Sequence, residues 1–218
     1  MSLFEKLDAR ITGISNGLLL VLNFFFIFLV PFLPTSMHQE TGTIIFTMIF
    51  LSSVFALETN RKLIFSIAII AVITEWIAFI LDLPTLNLIS QLVNILFFQL
   101  IVIKLIVQIA KSKKADSSVI LESVNGYLML GLLFTTWVAI ATFVDPHAFS
   151  FQSEDPRLQD FSYFTFITMT TLGYGDVTPQ LPFSRALAML ISTAGQIYVA
   201  VIIAMLVGKY ASAGKSEE

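Results

Sequence analysis

Six apolar runs, each at or near the length needed to cross a bilayer, divide this chain and leave little of it for a soluble fold. A membrane-spanning helix takes about 20 predominantly apolar residues. Runs at 15–34, 42–57, 63–82, 86–110, 119–144 and 183–208 approach or exceed that length. Pro31 and Pro34 close the first, and Glu58, Asn60, Arg61 and Lys62 separate the second from the third. Leu83-Pro84 turns into the fourth, and Lys111-Ser112-Lys113-Lys114 ends it. The chain is 56% hydrophobic and 12% charged, where a soluble domain is about half apolar and about a quarter charged. Its charge is concentrated at the ends of the apolar runs. The first run follows Lys6 and Arg10, as a signal peptide would. It is too long for one and no small-residue cleavage pattern follows, so it reads as a retained helix.

With six crossings both termini lie on one side. Lys6, Arg10, Arg61, Lys62, Lys111, Lys113, Lys114, Lys209 and Lys215 then share that face, and Arg157 and Arg185 take the other. The positive-inside rule makes the first face cytoplasmic. The outer segments carry Glu40, Asp145, Glu154, Asp155, Asp160 and Asp176. This predicts a multi-pass protein of the plasma membrane, of the prokaryotic inner-membrane kind.

Several function classes fall away. A net charge of -3 offers no basic surface for nucleic acid. Without cysteine there is no disulfide, zinc-thiolate site or thiol nucleophile. His38 and His147 lie far apart, among polar or turn residues. No nucleophile-base pair, metal cluster or phosphate loop suggests an enzyme, and no cofactor is expected.

Residues 161–171 are apolar and helix-sized but too short to span. They precede Leu-Gly-Tyr-Gly-Asp and lie between two spanning runs. This predicts a re-entrant half-helix followed by extended backbone. Irregular backbone at membrane depth is tolerated only when buried in protein or lining a watery path. The loop reads Thr171-Leu172-Gly173-Tyr174-Gly175. Potassium selectivity requires rings of backbone carbonyls, contributed by four loops of this type, to replace the ion's hydration shell. Glycine adopts positive φ without a Cβ penalty, which suits Gly173 and Gly175 to such a loop. Thr171 adds a hydroxyl oxygen at its inner end, and the half-helix C-terminus favours a cation by its dipole. Potassium ions at Thr171, Leu172, Gly173 and Tyr174 are the expected occupants.

On these residues the chain resembles the tetrameric potassium channel superfamily. Residues 119–208 look like its pore module of outer helix, pore helix, filter and inner helix. The run 170–176 is similar to the family's filter signature, with Leu172 where valine is usual. The six-helix layout resembles voltage-gated-like bacterial channels, and Gly195–Val201 resembles the inner helix of small prokaryotic ion channels. The resemblance is specific for 161–208 and only architectural for 1–110. It implies an all-α membrane protein with six transmembrane helices, a re-entrant pore helix and filter, assembled as a homotetramer. Residues 1–110 then form a four-helix peripheral domain, 111–118 a basic linker, 119–208 the pore domain and 209–218 a short cytoplasmic tail. Many relatives carry two adjacent tryptophans on the pore helix where this chain has Tyr163 and Phe164. Some place a glutamate behind the filter where this chain has Ile167. Phe164 cannot hydrogen-bond, so filter support should pass to Tyr163 with Asp176 and to Thr168 with Tyr174.

The fourth run contains one basic residue, Lys104, about 27 Å from its outer start. Steep voltage sensing uses three to four gating charges per subunit, so strong voltage dependence is not expected. Glu75 in the third run lies at the depth of Gln91 and Asn94, which share a face with Asn87. The pair reads as a polar pocket for a ligand or proton, or as a contact holding the peripheral unit together.

On the last run, Gly195 is a candidate bending point. Ala200, Ala204 and Gly208 recur at four-residue steps that permit close helix approach. Val199, Ile203 and Val207 are then available to form an apolar gate. Ten residues follow Gly208, where no regulatory module is expected, and the last eight read as disordered. Lys111, Lys113 and Lys114 are candidates for anionic membrane lipids. The rival readings are a cation transporter, a weakly selective cation channel, and a non-conducting or modulatory subunit of a heteromeric channel. One filter loop per chain favours the homotetramer over the transporter.

Overall fold

The computed structural model describes residues 3–33, 35–57, 61–81, 83–112 and 117–214. The side chains of 3–12, 35–43, 61, 79, 84, 87, 88, 117 and 209–214 lie outside that description. The described chain is helical but for its turns and loops. The helices are α1 (Leu3–Phe24), α2 (Thr35–Ala56), α3 (Arg61–Ile80), α4 (Pro84–Lys111), α5 (Ser117–Val144), α6 (Leu158–Met169) and α7 (Pro182–Gly214). Four stretches are long and apolar enough to cross a membrane among the described residues: Gly13–Phe32, Ile89–Lys111, Ser118–Val144 and Pro182–Gly208. The other two expected spans fall on α2 and α3. The described apolar part of α2, Ile44–Ala56, is shorter, and α3 opens on Arg61-Lys62 and carries Glu75.

The chain divides into two compact units, Met1–Gly126 and Tyr127–Glu218. In the first, α1 packs on α2, α2 on α3, and α3 on α4. Leu19, Ile49, Val54, Phe98, Ile101, Leu105 and Ile109 are fully buried there. The Phe46 ring lies 5.3 Å from Phe98, and Phe50 lies 5.7 Å from Phe97. Ser15 Oγ donates to the Ser52 carbonyl at 3.0 Å, and Gln108 Nε2 to the Ala56 carbonyl at 3.1 Å. Outside this core the surface is apolar. On α3, Leu63, Ile67, Ile70, Ile73, Ile77 and Ile80 form an exposed stripe at three- and four-residue steps. A water-facing helix carries polar residues on that face; a lipid-facing one does not.

Pro31 shapes the end of α1. It lacks an N–H and its ring clashes with the carbonyl four residues back. The helix widens into a π turn over Phe25–Leu29 and tightens into a 3-10 turn over Val30–Phe32. Pro84 opens α4 at the first helical position, where its missing N–H costs nothing. The helix α7 continues to Gly214. The segment from 209, read from sequence as a tail with disorder over its last eight residues, is therefore helical as far as it is described.

In the second unit the remainder of α5, α6 and α7 pack together. Gly131 of α5 lies under the Phe166 ring of α6. Met129, Leu132, Thr165, Met169 and Ile191 are fully buried or nearly so. The Tyr127 and Tyr198 rings meet at 5.7 Å between α5 and α7.

Candidate functional site

The site is built on α6. Its start is fixed by Asp160, whose Oδ2 accepts the Arg157 backbone N–H at 2.7 Å. A carboxylate in the first turn also complements the helix dipole. The helix therefore begins at Leu158, three residues before the apolar run that marks it in sequence. It has 12 residues, about 18 Å of helix, where a bilayer core is about 30 Å thick.

Past Met169 the backbone alternates in hand. Thr171 has φ 62, Gly173 φ 51 and Gly175 φ 80, while Leu172 and Tyr174 keep negative φ. Alternating hand cancels the helical turn and keeps the chain extended, with N–H groups on one side and carbonyls on the other. The N–H side faces α6. Thr171 N donates to the Thr168 carbonyl and Gly173 N to the Ile167 carbonyl, each at 3.0 Å. The helix C-terminus thus holds the loop by its amides and leaves the loop's carbonyl oxygens for another partner. Thr171 is a β-branched residue at positive φ, a conformation that costs about 1–3 kcal/mol and persists only where surroundings enforce it. The motif hinted at this third position through its two-residue step, but a threonine gives no conformational signal of its own.

The side chains of 171–176 are exposed in the single chain, Leu172 at 55% and Tyr174 at 69%. The Tyr163 hydroxyl donates to Asp176 Oδ2 at 2.6 Å. That bond, to a carboxylate, pushes the phenol up to about 12, so Tyr163 stays a donor throughout the physiological range. No hydrogen bond joins Thr168 to the Tyr174 hydroxyl among the described residues. Phe164 is 2% exposed, and its ring sits 4.9 Å from Phe149. Phe149 is 5.8 Å from Phe151, which is 5.4 Å from Phe161. Phe164, which cannot hydrogen-bond, instead anchors α6 to the connection between α5 and α6 by aromatic packing. Ile167, also buried, contributes its carbonyl.

The segment after the loop is pinned to the connection between α5 and α6. Phe149 and Pro179 form an antiparallel bridge. Ser150 N donates to the Thr178 carbonyl and Gln180 N to the Ala148 carbonyl, each at 2.9 Å. No run of alternating residues advertises so short a pairing. The exposed carboxylates of Glu154, Asp155 and Asp176 and the half-exposed one of Asp145 lie in these segments.

On α7, Gly195 is buried, and a Cβ there would collide with the Met169 carbonyl and side chain. Ile191, Gly195 and Tyr198 face the unit's interior. The opposite face carries Ala200, Ile203, Ala204 and Val207, with Val199 at its flank. Val199, Ile203 and Val207 are 38%, 56% and 63% exposed, so a single chain does not bring them together.

In the first unit, Asn94 Nδ2 donates to Glu75 Oε2; the Asn87 side chain lies outside the described residues. Another buried polar contact went unmarked by the apolar runs around it. Asn16 Nδ2 donates to Glu122 Oε1 at 2.9 Å, and Asn125 Nδ2 to the Asn16 carbonyl at 2.8 Å. Among the described residues no cluster of three His, Asp or Glu side chains is placed to hold a metal ion.

Residues 127–211 match the family model described as Ion channel. This part of the chain is thus similar to an ion channel domain. The match begins where the second compact unit begins and takes in α6, the alternating loop and most of α7. Among the described residues four helices are long and apolar enough to cross a bilayer, which together with this similarity supports a membrane protein. No curated protein matches it.

Proposed function

We propose that four copies of this chain assemble into a potassium-selective channel that conducts passively across the plasma membrane. Each chain crosses six times, keeps both termini in the cytoplasm and contributes one filter, residues 171–175. The observation that carries this reading is the alternating hand at Thr171, Gly173 and Gly175 behind a half-helix. It frees a row of neutral carbonyl oxygens, and such rings replace a potassium ion's hydration shell. The first four helices form a peripheral unit with little voltage response. Lys104 is the one basic residue on α4 before Lys111, and it lies about 30 Å from Pro84, where a lysine snorkels to the interface. Purified protein in liposomes is expected to pass potassium under a potassium gradient, to pass little sodium, and to show a shallow conductance-voltage curve. Equal potassium and sodium flux would sink the selectivity, and a dimer or trimer as the largest species in native mass spectrometry would sink the four-fold assembly.

Tyr163→Phe tests the support of the filter. It removes the hydrogen bond to Asp176 and leaves the ring in place. A severalfold rise in sodium relative to potassium permeability is expected, with assembly unchanged. Identical permeability ratios in mutant and wild type would remove Tyr163 from the filter's support.

The outward face of α7 supplies the gate. Apolar constrictions close channels by dewetting. Ile203→Asn is expected to hold water in the constriction and raise basal potassium flux, with selectivity unchanged. The same substitution at Ala204 is expected to impair assembly. If the Ala204 variant opens the pore and the Ile203 variant does not, the ring of gate residues is displaced by one position.

A further inference from the structure

Glu75 is the one acidic residue on α3. An ionised carboxylate at membrane depth requires a cation or several donors to offset its lost hydration. Two helices pack on α3, namely α4 and α2. From α4 comes Asn94, whose Nδ2 donates to Glu75 Oε2. The described side chains of α2, residues 44–56, include no titratable group. The nearest described basic residues are Lys62, about 20 Å along α3, and Lys104, about 15 Å along α4 from Asn94. The side chains of His38, Glu40, Arg61 and Asp82 lie outside the described residues.

The second observation concerns the other arm of the same amide. Asn94 Oδ1 is buried and has no hydrogen-bond partner. A carboxylate is acceptor-only and cannot serve it, whereas a protonated carboxyl carries one O–H donor. With the proton on Glu75 Oε1, the two side chains close a ring. Asn94 Nδ2–H points to Oε2, and Oε1–H points to Asn94 Oδ1.

We propose that Glu75 and Asn94 form a proton-binding site within the membrane, in which the neutral carboxylic acid pairs with the carboxamide through two hydrogen bonds. The proposal rests on α3 and α4 lying in the bilayer and is independent of the filter's ion preference. Release of the proton breaks one arm of the ring and leaves a charge between two apolar helices. The pairing of α3 with α4 therefore weakens as the pH rises.

Two measurements on the full-length protein test it. Dicyclohexylcarbodiimide enters bilayers and modifies un-ionised carboxyls. In phosphatidylcholine liposomes, peptide mass mapping is expected to find the adduct on Glu75 near neutral pH and to find less of it as the pH is raised. Trp76, Ile73 and Ile77 beside it are exposed in the chain, so the reagent reaches this face of α3 from the lipid. The second measurement is thermal unfolding in detergent between about pH 6 and about pH 9, for wild type, Glu75→Gln and Asn94→Leu. Glutamine supplies an N–H where the acid supplies an O–H, so Glu75→Gln keeps both bonds. It is expected to melt with wild type at low pH and above it at high pH, while Asn94→Leu melts below both at low pH. No adduct on Glu75 at neutral pH overturns the proposal. So do wild-type and Gln curves that run parallel across the range, or a Gln variant that melts well below wild type at low pH.

Discussion

In the proposed tetrameric channel, Gly175→Ala is expected to abolish potassium selectivity while leaving assembly largely intact. The reason is conformational rather than steric: a Cβ at Gly175 meets nothing within 4 Å in the chain, but φ there is +80. An L-residue with a left-handed backbone costs about 1–2 kcal/mol, so four copies together carry about 4–8 kcal/mol. Alanine relieves that cost by returning to negative φ, which rotates the adjoining peptide and takes its carbonyl out of the row. Gly173 offers an internal comparison. Its φ of +51 sits at the edge of the small left-handed region that non-glycine residues do visit, roughly +50 to +70. Gly173→Ala is therefore expected to lose less selectivity than Gly175→Ala. Reversal potentials in mixed potassium and sodium, with native mass spectrometry of the same samples, separate filter damage from assembly. Unchanged selectivity in Gly175→Ala would show that these carbonyls do not line the ion path.

The elements that were legible in the sequence owe it to local rules. Pro84 and Lys111 bracket α4 because proline suits a first helical position and the lysine-rich run that follows is not apolar. Gly173 and Gly175 announce positive φ because only glycine takes it freely. The half-helix was legible as too short to span, yet its start was misplaced at 161. Leu158 to Asp160 read as loop by hydropathy, and only the Asp160 contact to the Arg157 amide draws them into α6. The tertiary supports were illegible for a different reason. Phe149 packing on Phe164, the bridge to Pro179 and the contact of Asn16 with Glu122 and Asn125 join positions far apart in the chain. Nothing in the spacing of any one segment encodes its partner. Glu75 with Asn94 lies between these cases: helix depth brought the two to one level, and the structure supplied the bond.

Gly195→Ala sets two effects of opposite sign against each other. If Gly195 serves chiefly to let α7 bend, alanine should stiffen the helix and stabilise each chain by about 1 kcal/mol, its advantage in helix propensity. Opening would suffer and selectivity would not. The packing argues for the other outcome. The new Cβ would enter space held by the Met169 carbonyl and side chain. The carbonyl belongs to the last residue of α6 and cannot swing aside as a side-chain tip can. Overpacking of this kind costs about 1–3 kcal/mol, which outweighs the propensity gain. Since Met169 stands two residues before Thr171, its displacement moves the start of the proposed filter. Gly195→Ala is therefore expected to lower the melting temperature of the purified protein and to reduce potassium selectivity together. Gly131 calibrates the measurement, because a Cβ there meets the far end of the Phe166 ring, which can tilt. Gly131→Ala should cost less on both readouts. A Gly195→Ala protein that melts at or above wild type, keeps its selectivity and opens less would instead make this glycine a hinge, with its close approach to Met169 incidental.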